Sequence, residues 1–487
     1  HEGFGPKNGS ARIRLWHAPK MKRISLHIIA RRNRKTQLQG QTLSLNLSHP
    51  ESTNRPRVVI VGAGFGGMAA ARALRGNAAE VTLIDQTNHH LFQPLLYQVA
   101  TAALSPSDIA TATRVLMRGG SNLSVLMAEV TGVDIRARSV LLRDGHRLPY
   151  DYLVLATGSA SSFFGQDNWR EHTLVLKTIE DALAIRARLL EAFERAEQST
   201  DDAEIRRLLT FAIVGGGPTG VELAGTISEL ARATLARDFS RIDPRDTRVV
   251  LCEAGGRLLS GFDPALSTYA TEALTSMGVE VRIGTAVEAI DPTGVVLGSE
   301  RIDTGAVLWC AGTEARPAAE WLGIDGVRNG AVTVRSDCSV PGHPNIFAIG
   351  DVASFEAGGD ERLPALAPVA KQQGTYVGKL LAARIAGRRE PGAFRYRDYG
   401  TMAVIERSRA AAQFGRLRLT GFLAWLVWSL IHLMLLVDFR SRLVVYVNWA
   451  WAWFTYGRGA RLLTGSTTSD ARQPPLSDPE SGRPDDK

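Results

Sequence analysis

Cysteine is scarce: three in 487 residues, at Cys252, Cys310 and Cys338. They lie far apart and form no C-x-x-C pair, which argues against a disulfide scaffold, a structural zinc site and a dithiol redox centre. Such sparing use fits a reducing compartment. Each sits in an apolar or strand-like run, where a thiol serves as a small buried hydrophobe. Long apolar segments are also missing as a series. Without a bundle of spanning helices carrying buried carboxylates, there is no visible apparatus for moving protons across a bilayer. Residues 1–54 contain no long apolar run and no secretory cleavage pattern. The formal charge is +8, yet no basic, aromatic-interleaved motif marks a nucleic-acid-binding fold, so no nucleic-acid partner is expected.

What is present describes a folded α/β protein. Apolar residues make up 45% and charged residues 22%, enough to bury a large core. The length suits two or three packed units. Basic residues gather in two places: a leader with Arg31, Arg32, Arg34 and Lys35, and the flanks of an aromatic region near the C-terminus. Residues 1–54 are expected to be disordered or foreign to the fold, and the Ser/Pro/Asp-rich stretch 465–487 to be a disordered tail.

The fold starts sharply at Pro56. A β-branched run over residues 57–61 leads into Gly62-Ala-Gly64-Phe-Gly-Gly67, and a helix-compatible run follows from Met68 to Leu74. Gly62 permits the tight turn, Gly64 lets the backbone approach a pyrophosphate, and Gly67 lets helix and strand pack closely. A second strand over residues 81–84 ends in Asp85, where a carboxylate accepts from an adenosine ribose. Two later strands, Tyr150 to Gly158 (closing on Ala-Thr157-Gly158) and Asn345 to Asp351, end at turns of the same kind. An aspartate beside a pyrophosphate-binding turn has the reach to hydrogen-bond the ribityl hydroxyls of a flavin.

The strand–turn–helix unit recurs. Residues 211–214 lead into Gly215-Gly-Gly217-Pro-Thr-Gly220, and a helix continues through Glu222 to about Ala236. The next strand, from Arg248, ends in Glu253, which would accept from the ribose 2′-hydroxyl of NADH and repel the 2′-phosphate of NADPH. Arg257 nearby weakens that inference, since an arginine accommodates a phosphate. Glu222 has two readings: a carboxylate favoured by the helix dipole, or a group beside the nicotinamide and flavin. The run Ala306 to Gly312 and Thr313 suits the nicotinamide side. Two copies of the unit imply an α/β fold of two Rossmann-like domains.

The segments around Gly158 and Asp351 resemble those of the two-dinucleotide-binding flavoproteins, and the resemblance implies non-covalent FAD. Further phrases are more specific: Asn88 to Ala100, Leu104 to Ile109, Asp263-Pro, and Leu363 to Gly374. Together they resemble the type II NADH dehydrogenases, single-subunit NADH:quinone oxidoreductases, from about Pro56 to Leu463. In that family an A-Q-x-A-x-Q-Q-G segment lies at the quinone side of the flavin. Ala367, Ala370, Gln372, Gln373 and Gly374 match it, whereas Pro368 replaces the first glutamine. The resemblance therefore makes Gln372 and Gln373 quinone-site candidates, with a packing and backbone-bonding role as the alternative. Thr401 to Arg409 resembles the strand near the quinone entrance, with Glu406 in place of a glycine and Arg409, a further quinone candidate, in place of a lysine. The implied reaction is hydride transfer from NADH to FAD, then two electrons to a membrane quinone, with Glu222, Gln372 and Gln373 at the chemistry and no proton pumping. The alternative is an FAD-dependent flavoprotein at the membrane that senses NADH or reduces another acceptor.

The C-terminal end changes composition abruptly. About 17 mostly apolar residues from Gly421 to Val437 are at the short limit for a span. A second run, from Leu443 to Tyr456, carries Trp449, Trp451 and Trp453, with Arg458 and Arg461 beyond. Tryptophan beside arginine belongs at the lipid headgroup boundary. The preferred reading is a monotopic dock through residues 421–461 on the cytoplasmic face of the inner membrane; a single span and a homodimer interface are the alternatives. The expected division is FAD domain 55–175 and 326–400, NADH-binding domain 176–325, and membrane-docking region 401–464.

Overall fold

The computed structural model describes residues 55–463, apart from 328, 359–360, 437 and 456–457. The leader 1–54 and the tail 465–487 lie outside the described residues.

The first strand, β1 (Arg57–Val61), turns through the glycine fingerprint into α1 (Phe65–Ala73) and returns as β2 (Glu80–Asp85). A short helix, α2 (Leu96–Ala100), precedes β3 (Leu123–Met127) and β4 (Tyr152–Leu155). The chain then leaves this sheet. A two-residue strand, β5 (Leu174–Val175), and a long helix, α3 (Ile179–Gln198), lead to the second unit. That unit repeats the plan: β6 (Thr210–Val214), α4 (Pro218–Glu229), β7 (Arg248–Glu253), α5 (Pro264–Ser276), β8 (Val279–Ile283) and β9 (Ala306–Trp309). Finally β10 (Ser339–Val340) and β11 (His343–Ala348) rejoin the first sheet, followed by α6 (Ala367–Ile385).

The first sheet has the order β10-β11-β4-β1-β2-β3 and the second β5-β9-β6-β7-β8. Both are parallel apart from the antiparallel edge pair β10–β11. Parallel strands are covered on both faces, which explains why β1 and β6 read as unbroken apolar runs. Each unit also carries a three-stranded antiparallel sheet, at residues 130–149 and 287–303. The strand β5, at the edge of the expected first domain, pairs with β9 and so belongs to the second sheet. The helix expected from Gly220 to about Ala236 is α-helical to Glu229 and continues through a wider π-type turn at Leu230–Thr234.

Small residues set the closest packing. A Cβ on Gly374 of α6 would lie 2.1 Å from Gly66 O of α1, and one on Gly378 would lie 2.7 Å from Ala70 O. Pro368, the departure from the family segment, occupies the first turn of α6. Proline fits there because the amide it lacks would have no intrahelical partner.

The C-terminal part adds a three-stranded meander, β12 (Thr401–Glu406), β13 (Arg409–Phe414) and β14 (Leu417–Thr420), then α7 (Gly421–Leu435) and α8 (Phe439–Thr455). Among the described residues no helix is long and apolar enough to cross a membrane, so the single-span alternative finds no support in them.

Candidate functional site

The two glycine turns are built alike. Gly62 and Gly215 hold left-handed backbone at φ +102° and +112°. A Cβ on Gly62 would lie 2.3 Å from Ala156 O, and one on Gly215 would lie 2.7 Å from Cys310 C and from Ala311 N. Gly67 and Gly220 are closed to larger residues, since a Cβ would come 1.8 Å from Gly62 O or 1.9 Å from Gly215 O. Gly64 and Gly217, by contrast, face open space. Those two positions are the helix N-caps, where free amides and the helix dipole favour an anion.

The strand-end acids are also equivalent. Asp85 Oδ2 accepts from Ala63 N at 2.6 Å, and Glu253 Oε2 accepts from Gly216 N at 2.6 Å. Their second oxygens accept from Thr87 N at 2.8 Å and from Gly255 N at 2.6 Å. Each acid thus braces the turn through the amide that follows its first glycine. Arg257, which sequence left as a phosphate partner, is spent within its own loop on Phe262 O (2.8 Å), Ser267 Oγ (3.0 Å) and Ser260 O (2.6 Å).

A groove of about 450 Å³ runs from the first turn between β1, β4 and α6. Gly62, Gly64, Asp85, Thr157, Gly158 and Asp351 all line it; Gly67 sits behind, against Gly62. Thr157 Oγ1 is buried and has no hydrogen-bond partner. A buried hydroxyl without a partner costs free energy, and a dinucleotide laid in the groove supplies what it lacks. With the open Gly64 cradle, that unsatisfied atom shows that the residues present fit FAD. Sequence reasoning missed two further lining residues. Lys177 Nζ donates to Ser159 Oγ at 3.3 Å, and Ser159 Oγ donates to Asp351 Oδ2 at 2.7 Å. Burial chiefly lowers the Lys177 pKa, against the opposing pull of Asp351. A lone lysine between strand and helix carries no pattern that would have revealed it.

Glu222 lies one turn into α4. Burial pushes its carboxyl up to about 8, despite a long bond of 3.5 Å from Val404 N. Gly312 is at φ +70° in the turn after β9, and a Cβ there would meet the Phe164 ring at 2.6 Å.

The three quinone candidates are placed differently. Gln373 is 1% exposed, and its Oε1 accepts from Gly350 N at 2.7 Å, next to Asp351. Gln372 closes a two-way pair with the Arg397 backbone at 2.9 and 3.0 Å. Both amides thus hold backbone, as their alternative reading has it. Arg409 pairs with Glu406 at 2.8 Å and donates to Ser276 Oγ at 2.9 Å, and it does not line the groove.

Sequence also missed how the C-terminal segment enters the core. Arg458 is 7% exposed, donates to Thr101 O at 2.7 Å and Thr226 O at 3.3 Å, and lies 3.7 Å from Glu229 Oε2. Trp449 Nε1 reaches Gln98 Oε1 at 2.8 Å. An aromatic series joins the first fingerprint to α7: Phe65 to Phe92 at 6.0 Å, Phe92 to His432 at 6.3 Å, and His432 on Trp428 at 4.4 Å. Burial drives His432 down to about 4, so it stays neutral. All three cysteines are free, Cys252 and Cys338 fully buried and Cys310 partly.

Residues 56–374 match the pyridine nucleotide-disulphide oxidoreductase family. The type II NADH:quinone oxidoreductase NdhA of Mycobacterium tuberculosis is 41% identical over 439 residues, 87% of this chain and 92% of its own. A second such enzyme of that organism, Ndh, is 40% identical over 84% of this chain and 90% of its own. Among solved structures, NDH2 from Plasmodium falciparum in complex with NADH shares the fold at a TM-score of 0.78 and 20% identity, covering 83% of this chain and 99% of that one. The sulfide:quinone oxidoreductase of Aquifex aeolicus shares it at 0.64 and 18%, covering 77% of this chain and 90% of that one. By its match to the two mycobacterial enzymes over more than four-fifths of its length, the chain belongs to the type II NADH:quinone oxidoreductases.

Proposed function

We propose that the protein oxidises NADH and delivers the two electrons through FAD to a quinone, without pumping protons. The observation that carries this reading is the pair of equivalent fingerprint turns, each braced by its own acid. FAD, when bound, supplies a two-electron centre that takes hydride from NADH and reduces the quinone. The chain's own work is to bind, orient and hold a proton. Gly62, Gly64, Gly67, Asp85, Thr157, Gly158 and Asp351 bind FAD; Gly215, Gly217, Gly220, Glu253 and Gly312 bind NADH. Glu222, at the start of α4, stands with the NADH-binding group beside the nicotinamide and flavin, its carboxyl pushed up to about 8 by burial. Gln373 fixes the Gly350–Asp351 turn from behind, while Gln372 and Arg409 shape the approach to the quinone end. The working division is FAD domain 55–173 and 326–400, NADH domain 174–325, which takes in β5, and docking region 401–464.

The docking partner is a lipid surface on the cytoplasmic face of the inner membrane. Leu423, Leu430, Phe439, Trp451 and Phe454 on α7 and α8 are 56%, 61%, 75%, 65% and 82% exposed, with Arg440 and Arg442 between them and Arg461 beyond. An apolar patch of this kind marks an interaction surface, and its tryptophan–arginine chemistry fits headgroups. Turnover with a short-chain quinone tests the reaction: NADH is expected to support it and NADPH to support it at least about tenfold less well. Rapid NADH oxidation with other acceptors but none with quinone would overturn it. Co-sedimentation with anionic vesicles tests the dock; a stable homodimer that ignores vesicles would assign the same face to a second copy.

A further inference from the structure

The two-residue strand β5 belongs to the second sheet, and its register shows what it delivers. Leu174 and Val175 pair in parallel with Leu308 and Trp309 of β9. The chain leaving β5 therefore runs beside the chain leaving β9, toward the turn of Cys310 and Gly312. Lys177 lies two residues past Val175, just before α3, and its backbone is held on both sides. Its N–H donates to Asp181 Oδ2 at 3.0 Å, and its carbonyl accepts from Gln93 Nε2 at 3.0 Å. The side chain serves the other nucleotide site: it lines the FAD groove and donates to Ser159 Oγ at 3.3 Å. Ser159 Oγ in turn lies 2.7 Å from Asp351 Oδ2. An ammonium only donates and a carboxylate only accepts, so the hydroxyl must accept from Lys177 and donate to Asp351. Among the described residues Lys177 Nζ has no other hydrogen-bond partner and no direct ion pair, which leaves two of its three hydrogens. A half-buried cation without an adjacent anion is poorly solvated, and negative charge brought into the groove relieves it.

We propose that Lys177 sets the reduction equilibrium of the bound flavin: tied through Ser159 to Asp351, its ammonium favours the reduced, more negative cofactor. The proposal rests on the FAD reading of the groove and is independent of the quinone. Asp85 marks the adenosine end and Gly64 the pyrophosphate, so Asp351, with Lys177 one hydroxyl away, belongs to the flavin half. A hydride carries two electrons and one proton. Its departure breaks the C–H bond of NADH and leaves NAD+, while the flavin gains one negative charge. A fixed cation in a partly buried groove lowers the free energy of that charge. Ser159 has a separate task, since its hydroxyl holds Asp351 Oδ2 and leaves Oδ1 for the ribityl hydroxyls. Arg316 also lines the groove, but no hydrogen bond joins it to Ser159 or Asp351 among the described residues. The position of Lys177 beside the second fingerprint has an independent mark. Burial pushes the Cys310 thiol up to about 12, and the charge of Lys177 opposes that rise. The strand β5 thus places one cation where the two nucleotide sites meet.

The test is an anaerobic redox titration of the holoenzyme against a dye of known potential, read in the flavin absorbance, with no turnover needed. Lys177→Met removes the charge and keeps a chain of similar length. Its two-electron reduction equilibrium is expected to move about tenfold or more toward the oxidised flavin, a potential about 30 mV lower. Ser159→Ala keeps the charge and cuts the relay. Its equilibrium should stay within about threefold of wild type, while its flavin dissociation constant rises about fivefold or more as Asp351 loses its aim. A shift below about threefold in Lys177→Met overturns the proposal. So does a Ser159→Ala enzyme whose equilibrium moves as far as that of Lys177→Met, or whose flavin affinity is unchanged. If Lys177→Met does not retain flavin, Lys177→Gln, which is neutral and still able to donate to Ser159, is held to the same result. A wild-type protein that binds no flavin would sink the FAD reading, whereas flavin bound at an unchanged potential in the Lys177 variants would sink this inference alone.

Discussion

Glu222 is a carboxyl whose proton is held by its surroundings, and its linkage has a definite sign. Burial raises the folded value from 4.5 to about 8, so the folded protein binds this proton more tightly than the unfolded chain does. Stability from this group is therefore full below about pH 4.5 and falls as pH rises towards 8. The loss is at most about 5 kcal/mol, and less by whatever the partial exposure of the side chain screens. Glu222→Gln should flatten this dependence, as urea unfolding at pH 6 and pH 9 would record; an unchanged slope would place the titration elsewhere. Glu253 tests the other end of the dinucleotide. Glu253→Gln weakens two charge-assisted bonds and removes the repulsion of a 2′-phosphate, so the NADH preference should drop by about tenfold in kcat/KM. The glycines and acids were legible as residues because each is demanded by backbone geometry. Lys177 and Gln98 were not, because a side chain's hydrogen-bond partner is decided by neighbours distant in sequence.

The elements show why two glycines in one fingerprint answer different questions. Gly67 is where α1 touches β1, with no room for a Cβ, so Gly67→Ala should destabilise the apoprotein by about 3 kcal/mol or more. Gly64 faces open space, so Gly64→Ala should leave apoprotein stability within about 0.5 kcal/mol while weakening FAD binding about tenfold or more. Thermal unfolding of the two apoproteins, followed by flavin titration, separates these outcomes; equal effects would refute the assignment. Strands β1, β2, β6 and β7 could be read from β-branched runs ending at glycine or acid. What could not be read was that β5 joins the second sheet, since two residues carry no periodicity. The departure at Pro368 reads in sequence as a lost functional glutamine, whereas in the fold it is a helix-start proline.

On the scale of the whole molecule, exposed apolar side chains gather on α7 and α8. Leu430→Glu with Phe454→Glu should cut binding to anionic vesicles about tenfold and leave NADH oxidation by ferricyanide within about twofold. Retained vesicle binding would move the dock elsewhere. The aromatic and apolar composition made these two helices legible, because it shows in a single stretch. The burial of Arg458 ran against that pattern: an arginine after a tryptophan-rich helix reads as interfacial, and only the packing of α2 and α4 around Glu229 accounts for its place in the core. The central claim is one electron route with two separable halves. Anaerobic stopped-flow of the yellow holoenzyme tests it most directly: NADH first, then a short-chain quinone. Fast bleaching by NADH followed by fast reoxidation on quinone addition is the predicted result; bleaching that quinone does not reverse would contradict it.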